Sequence, residues 1–526
     1  MNVMIVNRRL LAVPMSADEQ RRRAVRGQIA IASVVGLVAM VCGALAWRTS
    51  PEPMAMALGL LILLIAVWGV RPLIGLHLTV FLTLLADGVT VPWYPFNKNL
   101  SSKESVLFVA DALTVSPLEI VLGLGLIIWL VRHFATRSGP IRFGTLWFPV
   151  TMLVVFLFVG FGRGVSSGGN LRAAVWEIRP LFCVPLVYFL VINLCPDLRR
   201  VRQLLWTGLL AVVGQSLLSW QYLTTLSATE RAELESLTEH GSAIHMNLVF
   251  LMLVAAWLFK GSTLRSRIGL IFMSVPVAVI YLVSQRRAAV VALGVAFVLM
   301  AIVLLWRQPR TFRRVVPVAM VLAAGYTAAF WNTTGGLGFP AQAVKSVIQP
   351  GSVSAEDQSS DLYRIVENFD LNYTIRQSPL LGLGFGQPFY RPVALPDISF
   401  FEFWQFMPHN SFLWIWVKMG FGGFVTILFI YARSLTAAAM RLRSAVDVAD
   451  VTAVLLCAAY VVMYAIYSYV DIGWDARSMV FLGVAIAGCT TPVRRRTAGA
   501  GTGTQVAADL HSPPPVRPVV ATGGRR

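Results

Sequence analysis

Charge is scarce in this sequence. Of 526 residues, 13% are Asp, Glu, Lys or Arg and 57% are hydrophobic, with a mean hydropathy of +0.70. A soluble domain needs a polar surface, so this balance excludes one of that size. Cysteine is scarce too. The five present (Cys42, Cys183, Cys195, Cys457 and Cys489) lie in or at the ends of apolar runs, and no pair has metal-ligand spacing. An odd number within helices argues against a disulfide framework. Strand-like alternation is missing, which argues against a membrane β-barrel. No internal repeat is evident. Acidic residues are outnumbered 25 to 44, giving a net charge of +19.

What is there instead is apolar length. Fourteen runs bounded by charges approach the roughly 20 residues that a helix needs to cross about 30 Å of hydrocarbon. They span residues 27–47, 54–70, 72–91, 117–135, 145–162, 179–195, 204–223, 244–259, 267–284, 288–306, 315–332, 410–432, 451–470 and 476–491. The expected fold is an all-α, polytopic transmembrane bundle of about 14 helices with a long external loop containing short helices. Its parts are a basic cytoplasmic arm (1–26), a first group of about eleven helices (27–332), the external loop (333–409), about three further helices (410–491) and a disordered cytoplasmic tail (492–526).

Lys and Arg in short loops mark the cytoplasmic side. With both termini inside, 29 of the 44 basic residues and only six acids fall on that side, so it carries +23 and the remainder −4. The excess charge is therefore a topology signal. Nucleic acid is excluded as a partner, because it would require the charge on one folded face.

Arginines that break this rule need another explanation. Arg163, Arg172 and Arg179 lie in an outer segment, the last two seven residues apart with Trp176 between them. One helical face would carry them, with Glu177 as a local partner or an anionic ligand as a distant one. Arg286 and Arg287 sit in a short outer turn between two apolar runs. An arginine at membrane depth costs about 2.5–3.5 kcal/mol, and its planar fork suits phosphate oxygens. Snorkelling to lipid headgroups is the alternative.

The external loop concentrates polar chemistry. Its first part, to Gln358, is rich in Gly, Pro and Ser and reads as irregular. A helix is expected from Ser359 or Ser360 to Pro379, with Leu362, Ile365, Val366, Phe369 and Tyr373 at helical spacing. Arg364 and Arg376 belong to this helix, in a loop whose own charge is −3. Gly382, Gly384 and Gly386 permit tight turning or close backbone approach. As a nucleotide cradle the run is weak, since no strand precedes it. Phe400 to Phe406, including Trp404, form an aromatic patch suited to the interface, a lipid chain or a sugar face. His409 stands at a helix start, where Asn410 and Ser411 can cap and the dipole favours an anion. An imidazole there is suited to take a hydroxyl proton near neutral pH. Asp471 and Asp475 flank the last turn, where Arg477 can pair with them. The external segments contain no Asp-x-Asp, and His240 and His245, the outer histidine pair, are not spaced for helix-borne zinc, so no metal site is expected.

Together these pieces resemble a known family. A Ser-x-Arg-Arg turn, Asp361-Leu362-Tyr363-Arg364, the run Ser378 to Gly386, and His409-Asn410-Ser411-Phe412-Leu413 with Gly420 and Gly423 downstream resemble the O-antigen ligase and polymerase superfamily of bacterial envelope proteins over about residues 270–430. The resemblance implies a metal-independent, cofactor-free, inverting glycosyltransferase. It would act on an undecaprenyl-diphosphate-linked glycan donor at the outer face of the bacterial cytoplasmic membrane, with a glycan or lipid as acceptor. Carried over by position, Arg286 or Arg287 and Arg364 hold the diphosphate and His409 acts at the acceptor hydroxyl. Arg172, Arg179, Arg376, Asn410, Gly384 and Trp404 are the expected substrate-binding residues. One departure stands out: many relatives have Glu nine residues after the motif His, and this chain has Lys418. A transporter or flippase of lipid-linked saccharide is the competing expectation, and a scaffold or sensor a third. A flippase would place ionisable groups at mid-bilayer and broken helices in paired positions.

Overall fold

A computed structural model describes residues 52–492, apart from 112, 137–138, 234–236, 260–262, 334, 350, 352–354 and 397–402. The expected cytoplasmic arm, the first apolar run and almost all of the tail lie outside these residues. Every regular element described is helical. The larger ones in chain order are α1 (Glu52–Val70), α2 (Pro72–Leu85), α3 (Pro117–Thr136), α4 (Trp147–Ser166), α5 (Leu171–Leu194), α6 (Leu198–Thr225), the short α7 (Ala228–Glu233), α8 (Ser242–Leu258), α9 (Leu264–Ser284), α10 (Arg287–Arg307), α11 (Pro309–Ala329), α12 (Phe339–Ile348), α13 (Ala355–Gln377), α14 (Ser411–Ser444), α15 (Val448–Val470) and α16 (Ala476–Thr490).

Nine of the described helices are long and apolar enough to cross a membrane, against the expected total of about fourteen. Three more apolar helices, α2, α8 and α16, have 14, 17 and 15 residues, about 21–26 Å at 1.5 Å per residue, and are shorter than any of these nine. The 309–329 run is an amphipathic helix with three arginines in its first two turns and no buried residue. Its apolar side, including Val318, Met320, Val321 and Leu322, is exposed.

The bundle is organised around α16, in which every residue from Arg477 to Thr490 is buried. It packs against α5 and α15, and α14 packs against α4 and α15. Helices end where the chain supplies caps. Asn170, Asp197, Thr263, Asn410, Asp447 and Asp475 each accept a backbone N–H of the first turn with their side chains. At the opposite ends, arginines near the ends of neighbouring helices cap free carbonyls: Arg132 donates to Gly69, Arg200 to Leu194, Arg307 to Leu442 and Ala445, and Arg441 to Thr491. Cations suit that end of a helix, so one face of the bundle is lined with them.

The segment expected to be irregular before Gln358 contains α12, which starts on Phe339-Pro340 with proline in its first turn. The next helix begins at Ala355, four residues before the expected cap at Ser359, and stops before Pro379 as the sequence indicates. Its apolar positions Leu362, Ile365, Phe369 and Tyr373 stay exposed, while Leu371 and Ile375 pack with Val417 of α14.

Two irregularities shape the functional end. Gln285, just after α9, adopts φ +47°, which turns the chain sharply into α10. At Gly420, φ +68° and ψ −172° break α14 into two pieces. The groups freed there are taken up by the segment after α13: Leu383 N–H donates to Val417 O at 2.6 Å and Phe421 N–H to Pro379 O at 3.0 Å.

Candidate functional site

The glycine run threads between the outer ends of α4, α5 and α14. Phe385 N–H donates to Gly160 O, Asn170 N–H to Gly386 O, and Arg163 Nε to Gly382 O at 2.7 Å. Gly384 has φ +94°, and a Cβ there would lie 2.3 Å from the Gly164 backbone. Its glycine is thus required for packing, and the run holds protein backbone. Beneath it, fully buried, Glu177 and Lys418 form an ion pair of 2.8 Å. Gly386 N–H donates to Glu177 Oε2 at 2.6 Å, Trp414 Nε1 donates to Oε1, and Lys418 Nζ is placed against Phe406 at 5.7 Å. Lys418 therefore has a partner across 241 residues of chain, and Glu177 is not the surface partner of Arg172 or Arg179.

The arginines of that outer segment are used otherwise. Arg179 pairs with Glu119 at 3.6 Å. Arg172 lies over the Phe403 ring, on which Trp176 also stacks at 4.6 Å. Trp404 is covered by Arg391 at 4.2 Å. Arg376 is exposed in the last turn of α13, about 18 Å along the helix from Arg364. None of these lines the cavity described next.

That cavity, of about 160 Å³, is lined by Asp361, Arg364, Ile365, Glu367 and Asn368 of α13, His409 and Asn410 before α14, and Tyr469 and Val470 at the end of α15. Glu367, 2% exposed, holds His409 twice: its Oε2 accepts the backbone N–H at 2.8 Å and faces Nδ1 at 3.2 Å. A carboxylate only accepts, so Nδ1 carries the proton and Nε2 keeps its lone pair. Tyr363 meets the imidazole edge-on at 5.5 Å. Burial, then Glu367, pushes the Tyr363 phenol up to about 12, so it stays neutral. Asn410 is spent as the cap of α14.

Asp361 joins two of the arginines, accepting Arg287 at 3.2 Å and Arg364 at 3.4 Å. Arg286 donates to Thr238 O at 3.3 Å. The Nε atoms of Arg286 and Arg364 are buried without a hydrogen-bond partner. Asp471, 4% exposed, takes the His240 ring at 3.0 Å. Burial raises its affinity for a proton, yet His240, His409 and Arg364 together hold it well below the usual carboxylate range. Asp475 pairs with Arg477 at 3.8 Å, whereas Asp471 does not. Arg477 also pairs with Asp87 at 3.6 Å and with Glu239, so Asp87 is a buried anchor. Among the described residues no group of His, Cys, Asp and Glu is placed to hold a metal ion.

Position 364 and position 409 thus meet across the cavity, and Asp361 ties Arg287 to the same wall; Arg286, held by Thr238 O, and Arg287 are not among the lining residues. Residues 272–428 match the O-antigen ligase family. The matched segment runs from α9 through the α9–α10 turn, α12, α13 and the glycine run into α14, close to the limits expected from the motifs. It supports the O-antigen ligase and polymerase superfamily as the one this chain resembles. No curated protein matches the chain. The motif Asp361-Leu362-Tyr363-Arg364 gave Asp361 no partner, and Glu367 was not singled out. The signal was their spacing: Asp361, Arg364 and Glu367 recur on one side of a helix, at i, i+3 and i+6.

Proposed function

We propose that this membrane protein is an inverting glycosyltransferase that transfers or polymerises a polyprenyl-diphosphate-linked glycan, undecaprenyl in bacteria, at the outer face of the cytoplasmic membrane. The observation that carries the reading is His409, held by Glu367, opening on the same cavity as Arg364. His409 Nε2 takes the acceptor hydroxyl proton as the acceptor oxygen attacks the anomeric carbon. The bond from that carbon to the diphosphate breaks, and its electron pair leaves with the diphosphate oxygen. Guanidinium groups fixed by Asp361 and Thr238 face the developing charge without having to reorganise. The family match supports the same chemistry.

Purified protein supplied with glycosylated lipid donor and acceptor on one side of a liposome tests this. Wild type forms product, and His409→Ala slows it by about 10²–10⁴-fold, the usual contribution of a general base. Donor crossing the bilayer with no product would make the protein a flippase and remove the proposal.

A further inference from the structure

The charged and proton-accepting groups occupy only part of the cavity wall. The rest of the lining is Ile365, Asn368, Tyr469 and Val470, which carry no charge, and Asn410. The Tyr469 ring is 61% exposed at the cavity mouth. Asn368 Oδ1 is buried without a hydrogen-bond partner. An exposed tyrosine alone fits any outer membrane interface. A buried amide oxygen lacking a donor does not, because desolvating it uncompensated costs about 1–3 kcal/mol. A hydrocarbon chain would leave that oxygen unpaired, and a phosphate would face it acceptor to acceptor. A ligand with hydroxyl donors on its edge and C–H groups on its face satisfies both neighbours, and a pyranose ring is such a ligand. These residues line the same cavity as His409 and Arg364, where that ring must lie.

Building on the transferase reading, we infer that Tyr469 and Asn368 form the subsite for the sugar that carries the reacting anomeric carbon. The ring face of Tyr469 covers the sugar's C–H face, and Asn368 Oδ1 accepts one of its hydroxyls. These two residues select the sugar, while Arg286 and Arg364 hold the diphosphate whatever sugar it carries.

The test compares two probes on the intact protein in detergent: a polyprenyl diphosphate bearing one sugar, and the same polyprenyl diphosphate without it. Tyr469→Ala and Asn368→Ala are each expected to weaken the sugar-bearing probe about tenfold, the effect of one lost contact, and to leave the bare probe unchanged. Tyr469→Phe keeps the ring face and binds both as wild type does, which separates the contact from a folding defect. Arg364→Ala weakens both probes alike. Equal loss of both probes in Tyr469→Ala, or no loss of either, overturns the subsite. Wild type that binds both probes equally likewise overturns the subsite; wild type that binds the sugar-bearing probe more tightly but never transfers its sugar to an acceptor overturns the transferase reading instead, and wild type that binds neither overturns both.

Discussion

Two carboxylates less than two turns apart on α13 have different partners. Glu367 grips a backbone N–H and an imidazole of the same residue, which fixes both the position and the tautomer of His409. Glu367→Gln keeps the shape but allows the amide to donate to Nδ1, which moves the imidazole proton to Nε2. Turnover is expected to fall about a hundredfold with donor KM little changed, as for a base in the wrong tautomer; an unchanged kcat would mean that His409 is oriented by something else. On the proposed reading Asp361 acts on binding. It spreads one negative charge over two guanidinium groups, so Asp361→Asn removes the carboxylate that positions them, and donor KM is expected to rise about tenfold, one charge-assisted hydrogen bond's worth. Arg364 and His409 were legible in the sequence because polar residues stand out against so apolar a background. Their partners were not, since Glu367 meets His409 across 42 residues and Arg287 meets Asp361 across 74, distances over which spacing carries no information. Arg172, Arg179 and Trp404 were read as binding residues on the strength of exposure and charge, but each is taken by a neighbour that only the packing reveals.

At the scale of elements, the glycine run and the break in α14 are one device. Gly420 leaves helical geometry where the segment from Leu380 to Leu383 comes alongside, and a Cβ on Gly420 would collide with the Leu380 backbone. The close approach of two backbones explains why glycine recurs on both strands of contact. Glu177 and Lys418 close this joint from below. Removing one member of a buried pair leaves an uncompensated charge, which costs about 3–5 kcal/mol, whereas replacing both with apolar residues is often close to neutral. Lys418→Met is therefore expected to lower the thermal unfolding temperature sharply, and Glu177→Met/Lys418→Met to recover much of the loss. A double variant less stable than both singles would show that the hydrogen bonds to Gly386 and Trp414, rather than charge balance, dominate. The close approach was foreseeable from Gly382, Gly384 and Gly386; its partner was not, because α4 presents only Gly160 and Gly164 as a matching groove.

For the whole molecule, charge and polarity divide the bundle into two ends. At one end Arg132, Arg200, Arg307 and Arg441 cap helix carbonyls. At the other lie the cavity, the Asp87–Arg477 cluster and the loop that carries Lys103. The uneven distribution of arginine was readable directly from the sequence; the number of crossings turns on α2, α8 and α16, which are apolar but shorter than the nine long helices. If arginine-rich loops face the cytoplasm, the cavity opens outside, where a lipid-linked glycan is presented. The four described cysteines, Cys183, Cys195, Cys457 and Cys489, are buried, so single exposed cysteines can report on sidedness in a background lacking Cys42. A membrane-impermeant maleimide is expected to label Lys103→Cys in intact spheroplasts and to reach Arg310→Cys only after permeabilisation. The reverse pattern would turn the cavity towards the cytoplasm, and transfer to an external acceptor would then be impossible without a separate flipping step.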